Sequence, residues 1–168
     1  HDALDSGWIS SIGKYKQLTS ELLCEKTGTK YSYLTCNGTV SCHLMSKVLH
    51  KFYPDKTKII VPNNCYVAAW NSLLFDNKNN IKLIPVDANL ETWNIELDNT
   101  EGDVYYIVHN LGNIINVPKL KRENPDKIFM EDACEALFGE YEDAPVGSAS
   151  LCSAFSFFGN KNISADDL

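Results

Sequence analysis

The sequence predicts an α/β fold on a mostly parallel sheet flanked by helices, and three observations lead there. Short apolar runs rich in β-branched and aromatic residues alternate with segments of helical spacing along all 168 residues. Gly and Pro punctuate the junctions, and polar, Gly-containing or acidic clusters recur just after the apolar runs. Some predicted strands are bounded by loops rather than long helices, which leaves room for a mixed sheet.

The elements follow in order. Tyr15 to Lys26 reads as a helix with Tyr15, Leu18, Leu22 and Leu23 on one side and Gly28 as its stop. Tyr31 to Cys36 reads as a short strand. Ser41 to Phe52 carries Cys42, Met45, Val48, Leu49 and Phe52 at helical spacing, and Pro54 closes it. Lys58 to Val61 is the next strand, and Tyr66, Ala69, Trp70, Leu73 and Leu74 mark the helix after it. Ile81 to Val86, Val104 to Val108, Ile128 to Met130 and Leu151 to Phe157 continue the strands, while Pro118 opens a short helix that Pro125 ends. There is no internal repeat or low-complexity tract, although Asn is frequent, as in Asn77 to Asn80.

Composition narrows the function. Apolar and charged fractions of 44% and 22% are ordinary for a globular chain that can bury a core in one domain. A formal charge of −7 disfavours nucleic acid as the main partner, and the densest basic group, Lys119, Lys121 and Arg122, reads as a solvated helix face. No apolar run approaches the ~20 residues of a membrane span, so no membrane partner is expected. The N-terminus has neither a signal-peptide pattern nor an initiator Met, which suggests an excerpt or a processed product. The six cysteines form no C-x-x-C pair and mostly lie in apolar segments. That disfavours a disulfide scaffold or zinc site and fits buried thiols in a reducing, cytoplasmic setting.

The chemistry collects after the strands. Asn37-Gly38-Thr39, Asn63-Asn64-Cys65-Tyr66, His109-Asn110, Glu131-Asp132 and Gly159-Asn160-Lys161 each follow a predicted strand, and in open α/β sheets such positions face one crevice. Gly38 and Thr39 start a helix whose free amides favour an anion such as phosphate, or they simply open a capped helix. Glu131-Asp132 is either a surface acid pair or a buried one that needs a cation. Lys161 follows the aromatic stretch Phe155-Ser156-Phe157-Phe158, where a desolvated lysine can act as a nucleophile, although most lysines are simply solvated. Tyr66 and His109 taken singly read as a core aromatic and a satisfied polar residue. Together these groups are the equipment of a pyridoxal-phosphate (PLP) site.

The order of the motifs resembles the DegT/DnrJ/StrS sugar aminotransferases. The resemblance runs from Ser6-Gly7-Trp8-Ile9-Ser10 with Gly13 through Asn37-Gly38-Thr39, Val61-Pro62, Tyr66-Val67-Ala68, Val86-Asp87 and Thr92-Trp93-Asn94-Ile95. It continues through Val108-His109 and Glu131-Asp132-Ala133-Cys134-Glu135-Ala136 to Ser156-Phe157-Phe158-Gly159-Asn160-Lys161, whose form is most similar to perosamine and viosamine synthases. It implies the large domain of a fold type I PLP enzyme, the aspartate aminotransferase-like fold, here residues 1–168 in part and without the C-terminal small domain. It implies pyridoxal 5′-phosphate as cofactor, a homodimer in the full-length protein, a nucleotide-linked 4-keto-6-deoxyhexose as acceptor and L-glutamate as amino donor. By motif, Lys161 would hold the cofactor and shuttle a proton, and Asp132 would pair with the pyridine nitrogen. Glu135 would lie near the ring hydroxyl, Tyr66 would stack on the ring, and Gly38, Thr39 and Ser156 would bind the phosphate.

Three departures stand out. The usual segment after the lysine, T-I-T-T-G-E-G-G, reads Asn162-Ile163-Ser164-Ala165 and then Asp166-Asp167-Leu168. His109-Asn110-Leu111-Gly112 replaces H-L-Y-G, and the D-M-D that follows it is missing from Ile114 to Val117. Cys65 stands where Thr is common. Two other readings therefore accompany the aminotransferase: a truncated, inactive binding module, and the family's sugar dehydratase branch, in which His replaces the lysine. Lys161 argues against the latter. The 168-residue chain alone is expected to be inactive, because Lys161 lies so near its end.

Overall fold

The computed structural model describes residues 1–8, 12–75, 80–97 and 100–163. Ile9 and Ser10 of the opening motif, Asn77 to Asn79, and Ser164 to Leu168 lie outside the described residues.

The apolar runs at Lys58–Pro62 (β1), Lys82–Val86 (β2), Val104–Val108 (β3), Ile128–Asp132 (β4) and Cys152–Ala154 (β7) pair as one sheet in the order β2-β1-β3-β4-β7. Every pairing in it is parallel. The antiparallel pairing of named strands is confined to a two-stranded hairpin, Glu140–Tyr141 (β5) and Ala144–Pro145 (β6). The mostly parallel sheet of the sequence reading is thus present, and its described strands are all parallel.

Strands buried on both faces read as continuous apolar runs, and β3 is buried at all five positions. One face places Ile59, Val61, Val104, Tyr106, Val108, Met130 and Ala154 against the helices Gly38–Phe52 (α3) and Val67–Leu74 (α4), through Met45, Leu49, Ala69 and Leu73. On the other face Ile60, Tyr105, Ile107 and Phe129 meet Ile115 and Val117, the latter opening the helix Val117–Glu123 (α5). Removing a side chain such as Leu49 or Leu73, each with no exposed surface, costs about 2–5 kcal/mol. Gly102 allows the chain to approach β1, since a Cβ there would lie 2.6 Å from Ile60 Cγ1.

The helix ends follow local chemistry. Asn37 caps α3 by accepting the Val40 amide at 2.9 Å, and Asn116 caps α5 by accepting that of Lys119. The helix Lys14–Thr27 (α2) ends on Gly28 in the left-handed conformation, φ 66°. A short helix, Asp2–Ser6 (α1), precedes it and was not anticipated. The basic group on α5 is a surface feature: Lys119 pairs with Glu123, and Lys121 donates to the Ala149 carbonyl. No described helix is long and apolar enough to cross a membrane.

Three expectations need correction. Tyr31 to Cys36 forms no strand; it pairs with none of the described strands and lines the cleft described below, with Tyr31 and Tyr33 exposed. The strand expected over Leu151 to Phe157 shrinks to Cys152–Ala154, because its pairing with β4 ends at Asp132 and Ala154 and the chain then turns into the cleft. On α2 only Leu23 and Thr27 are buried, whereas Tyr15, Leu18 and Leu22 face outward.

Candidate cofactor site at the strand ends

The carboxyl ends of β1, β3, β4 and β7 and the start of α3 line one open cleft of about 1750 Å³. It collects Gly38, Thr39, Tyr66, Asp132, Glu135, Ser156 and Lys161, residues spread over more than a hundred positions of chain.

The anion end is built around Gly38. A Cβ at this position would lie 2.9 Å from Cys134 Sγ and 3.5 Å from Ser156 Cβ, so only glycine lets α3 start this close to the loops after β4 and β7. Helix geometry leaves the Gly38 and Thr39 amides without an intrahelical acceptor, and the 15-residue helix directs its positive end at the same place. Ser156 is buried beside them; its hydroxyl accepts the Phe158 amide at 3.3 Å and keeps its own proton to donate.

Asp132 ends β4 facing α3. One carboxylate oxygen accepts the Cys134 amide at 3.1 Å, and the other accepts the Cys42 thiol at 3.5 Å. Tyr106 and Cys134 lie within its field and stay neutral. Burial, then the Asp132 charge, pushes the Tyr106 phenol well above its ordinary range. The hydrogen bond with Cys42, then burial, likewise pushes the Cys134 thiol up. Among the described residues Asp132 therefore has no cationic partner, and a cation arriving from the cleft would meet an uncompensated carboxylate. Cys42, Asp132 and Cys134 also bring three ligand atoms within 4.8 Å of one another, a donor set that cysteine spacing did not suggest.

Lys161 is mostly buried, its side chain 17% exposed, and its ammonium donates to Glu135 Oε1 at 2.9 Å. Glu135 Oε2 accepts the Leu111 amide at 2.6 Å. Partial burial would raise the Glu135 carboxyl, but the Leu111 amide and the Lys161 charge outweigh it and hold the group below its ordinary value. One carboxylate thus ties together the loops after β3, β4 and β7. Tyr66 stands at the N-cap of α4, 75% exposed on the cleft wall, with its ring free to cover a flat ligand.

His109 reaches the cleft wall, but its ring pairs with Glu131 behind it. Strand alternation turns Glu131 to the face opposite Asp132, where it accepts His109 Nε2–H at 2.9 Å and the Gly147 amide at 3.0 Å. The Ile115 amide donates to His109 Nδ1, which fixes the Nε2–H tautomer. Of the opening motif, Ser6 and Gly7 end α1, and the exposed Trp8 does not line the cleft. Sequence reasoning missed Cys42 and Trp93 as cleft residues. Cys42 lies 90 positions from Asp132 and sits on an ordinary apolar helix face, so no local signal marked it.

Residues 1–167 match the model of the DegT/DnrJ/EryC1/StrS aminotransferase family. The GDP-perosamine synthase of Escherichia coli O157:H7 is 30% identical over 175 residues, covering 99% of this chain and 47% of the relative. The UDP-4-amino-4,6-dideoxy-N-acetyl-beta-L-altrosamine transaminase of Helicobacter pylori is 28% identical, covering 90% and 41%. Among solved structures, E. coli GDP-4-keto-6-deoxy-D-mannose-3-dehydratase with bound hydrated PLP superposes with a TM-score of 0.84 at 23% identity, over 97% of this chain and 44% of that one. Helicobacter pylori PseC, an aminotransferase involved in pseudoaminic acid biosynthesis, gives 0.75 at 27%, over 90% and 42%. The chain spans about half the length of the curated relatives it matches.

Proposed function

The chain belongs to the DegT/DnrJ/EryC1/StrS aminotransferase family, and from that premise we propose that it is the cofactor-binding part of an enzyme that aminates a nucleotide-linked 4-keto-6-deoxyhexose with L-glutamate as donor. The cofactor is pyridoxal 5′-phosphate. The observation that carries the reading is the convergence in one cleft of a glycine-floored anion cradle, a strand-end carboxylate with no cationic partner among the described residues and a Lys161–Glu135 pair.

When bound, the cofactor supplies a reactive carbonyl and an electron sink. This chain's residues do the rest. The Gly38 and Thr39 amides and the Ser156 hydroxyl bind the phosphate, and a side chain at position 38 would fill that space. Asp132 would hold a proton on the pyridine nitrogen, and its neutral neighbours Cys134 and Tyr106 leave its charge undivided. Tyr66 would cover one ring face and exclude water from it. Glu135 orients Lys161 and would lie by the ring hydroxyl. Lys161 would attach the cofactor and move the proton between the substrate carbon and the cofactor's C4′. The keto-sugar acceptor is supported by the likeness to GDP-perosamine synthase. The full-length protein acts as a homodimer in this reading. Lys161, rather than His, favours amino transfer over the dehydratase chemistry of one structural neighbour.

The test is borohydride reduction in the presence of PLP, followed by peptide mapping. The adduct is expected on Lys161. An adduct on other lysines with none on Lys161 would refute the assignment.

A further inference from the structure

The stretch between β2 and β3 takes no part in the cofactor site, yet it presents a strained aromatic to the cleft. Trp93 adopts φ 59°, a left-handed backbone uncommon for a bulky residue, and is 65% exposed while lining the cleft. Several bonds hold it there. Its amide donates to the Asn89 carbonyl at 2.7 Å, and its carbonyl accepts Asn64 Nδ2 at 2.9 Å. The preceding Thr92 carbonyl accepts Asn113 Nδ2, and Asn110 Nδ2 donates to the Asn64 carbonyl at 3.2 Å. The loop is therefore fastened to the ends of both β1 and β3.

Strain kept in place by this many bonds, for a ring that buries little, does not serve the core. The indole N–H and the carboxylate of Glu91, which also lines the cleft, have no side-chain partner among the described residues.

We propose that Trp93 is the wall on which the nucleobase of the nucleotide-linked substrate stacks, with Glu91 reading the base edge in favour of guanine. This rests on the nucleotide-sugar reading above. A carboxylate matches the adjacent N1–H and exocyclic amine of guanine. Uracil offers one N–H between two carbonyl oxygens, which a carboxylate repels.

The test titrates GDP and UDP into the full-length protein, following tryptophan fluorescence and calorimetric affinity. GDP quenches the wild type and binds more tightly than UDP. Trp93→Ala loses the quench and binds GDP about tenfold more weakly, as expected for one stacked base, and Trp93→Phe restores most of the affinity. Glu91→Gln narrows the GDP-over-UDP preference about tenfold. Trp93 buries little, so its variants should keep the wild-type urea midpoint. If Trp93→Ala binds GDP as the wild type does, the stacking role falls while the nucleotide reading stands. If the wild type binds neither nucleotide, the nucleotide-sugar reading fails and the inference fails with it.

Discussion

His109→Ala should be among the most damaging single substitutions in this fold, although the residue lies beside the site and not in its chemistry. The side chains of His109 and Glu131 are 0% and 2% exposed and 2.9 Å apart. Removing the imidazole leaves the Glu131 carboxylate buried with the Gly147 amide as its one hydrogen-bond donor among the described residues, since its Oε1 is already buried without a partner. It also orphans the Ile115 amide. Losing a hydrogen bond to a buried carboxylate and stranding an amide together cost about 3–5 kcal/mol, a large share of the roughly 5–15 kcal/mol typical of a whole domain. Glu131→Leu should cost about 2–4 kcal/mol, from the unpaired imidazole and Gly147 amide. The double variant strands two backbone amides but no lone buried polar side chain from the pair, so its cost should fall short of the sum by about 1–3 kcal/mol. Urea unfolding curves with unchanged slopes would measure all three. A loss below about 1 kcal/mol for His109→Ala, or additive costs, would refute the reasoning.

Two further outcomes follow from the cleft. Gly38→Ala puts a Cβ 2.9 Å from Cys134 Sγ, so overpacking of about 1–3 kcal/mol should exceed the helix-propensity gain of at most about 1 kcal/mol. PLP affinity should fall as well; a PLP titration showing wild-type affinity would count against the phosphate role. Glu135 has a carboxyl held below its ordinary value of 4.5, so the stability it contributes is present above that value and lost as pH falls through the lower folded value. The urea midpoint of Glu135→Gln should therefore lie below wild type near neutral pH and converge on it in acid. A gap that widens in acid would contradict the assignment.

Much of the fold was legible because its signals are local. The helical spacing of Cys42, Met45 and Leu49, the apolar run of β3 and the Pro at α5 each reflect a period or a cap set within a few residues. The order of the strand-end clusters and the family motifs likewise marked Asp132, Glu135, Ser156 and Lys161 before any geometry was known. Tyr31 to Cys36 had a strand's composition but pairs with no strand among the described residues, and strand pairing is not a local property. Only the sheet order β2-β1-β3-β4-β7 sets the ends of β1, β3 and β4 side by side. That order brings Cys42 to Asp132 across 90 positions, gives Glu131 rather than Asp132 to His109, and fastens Trp93 to Asn64 and Thr92 to Asn113. Periodicity says which way a side chain faces, whereas its partner is decided by which strands become neighbours.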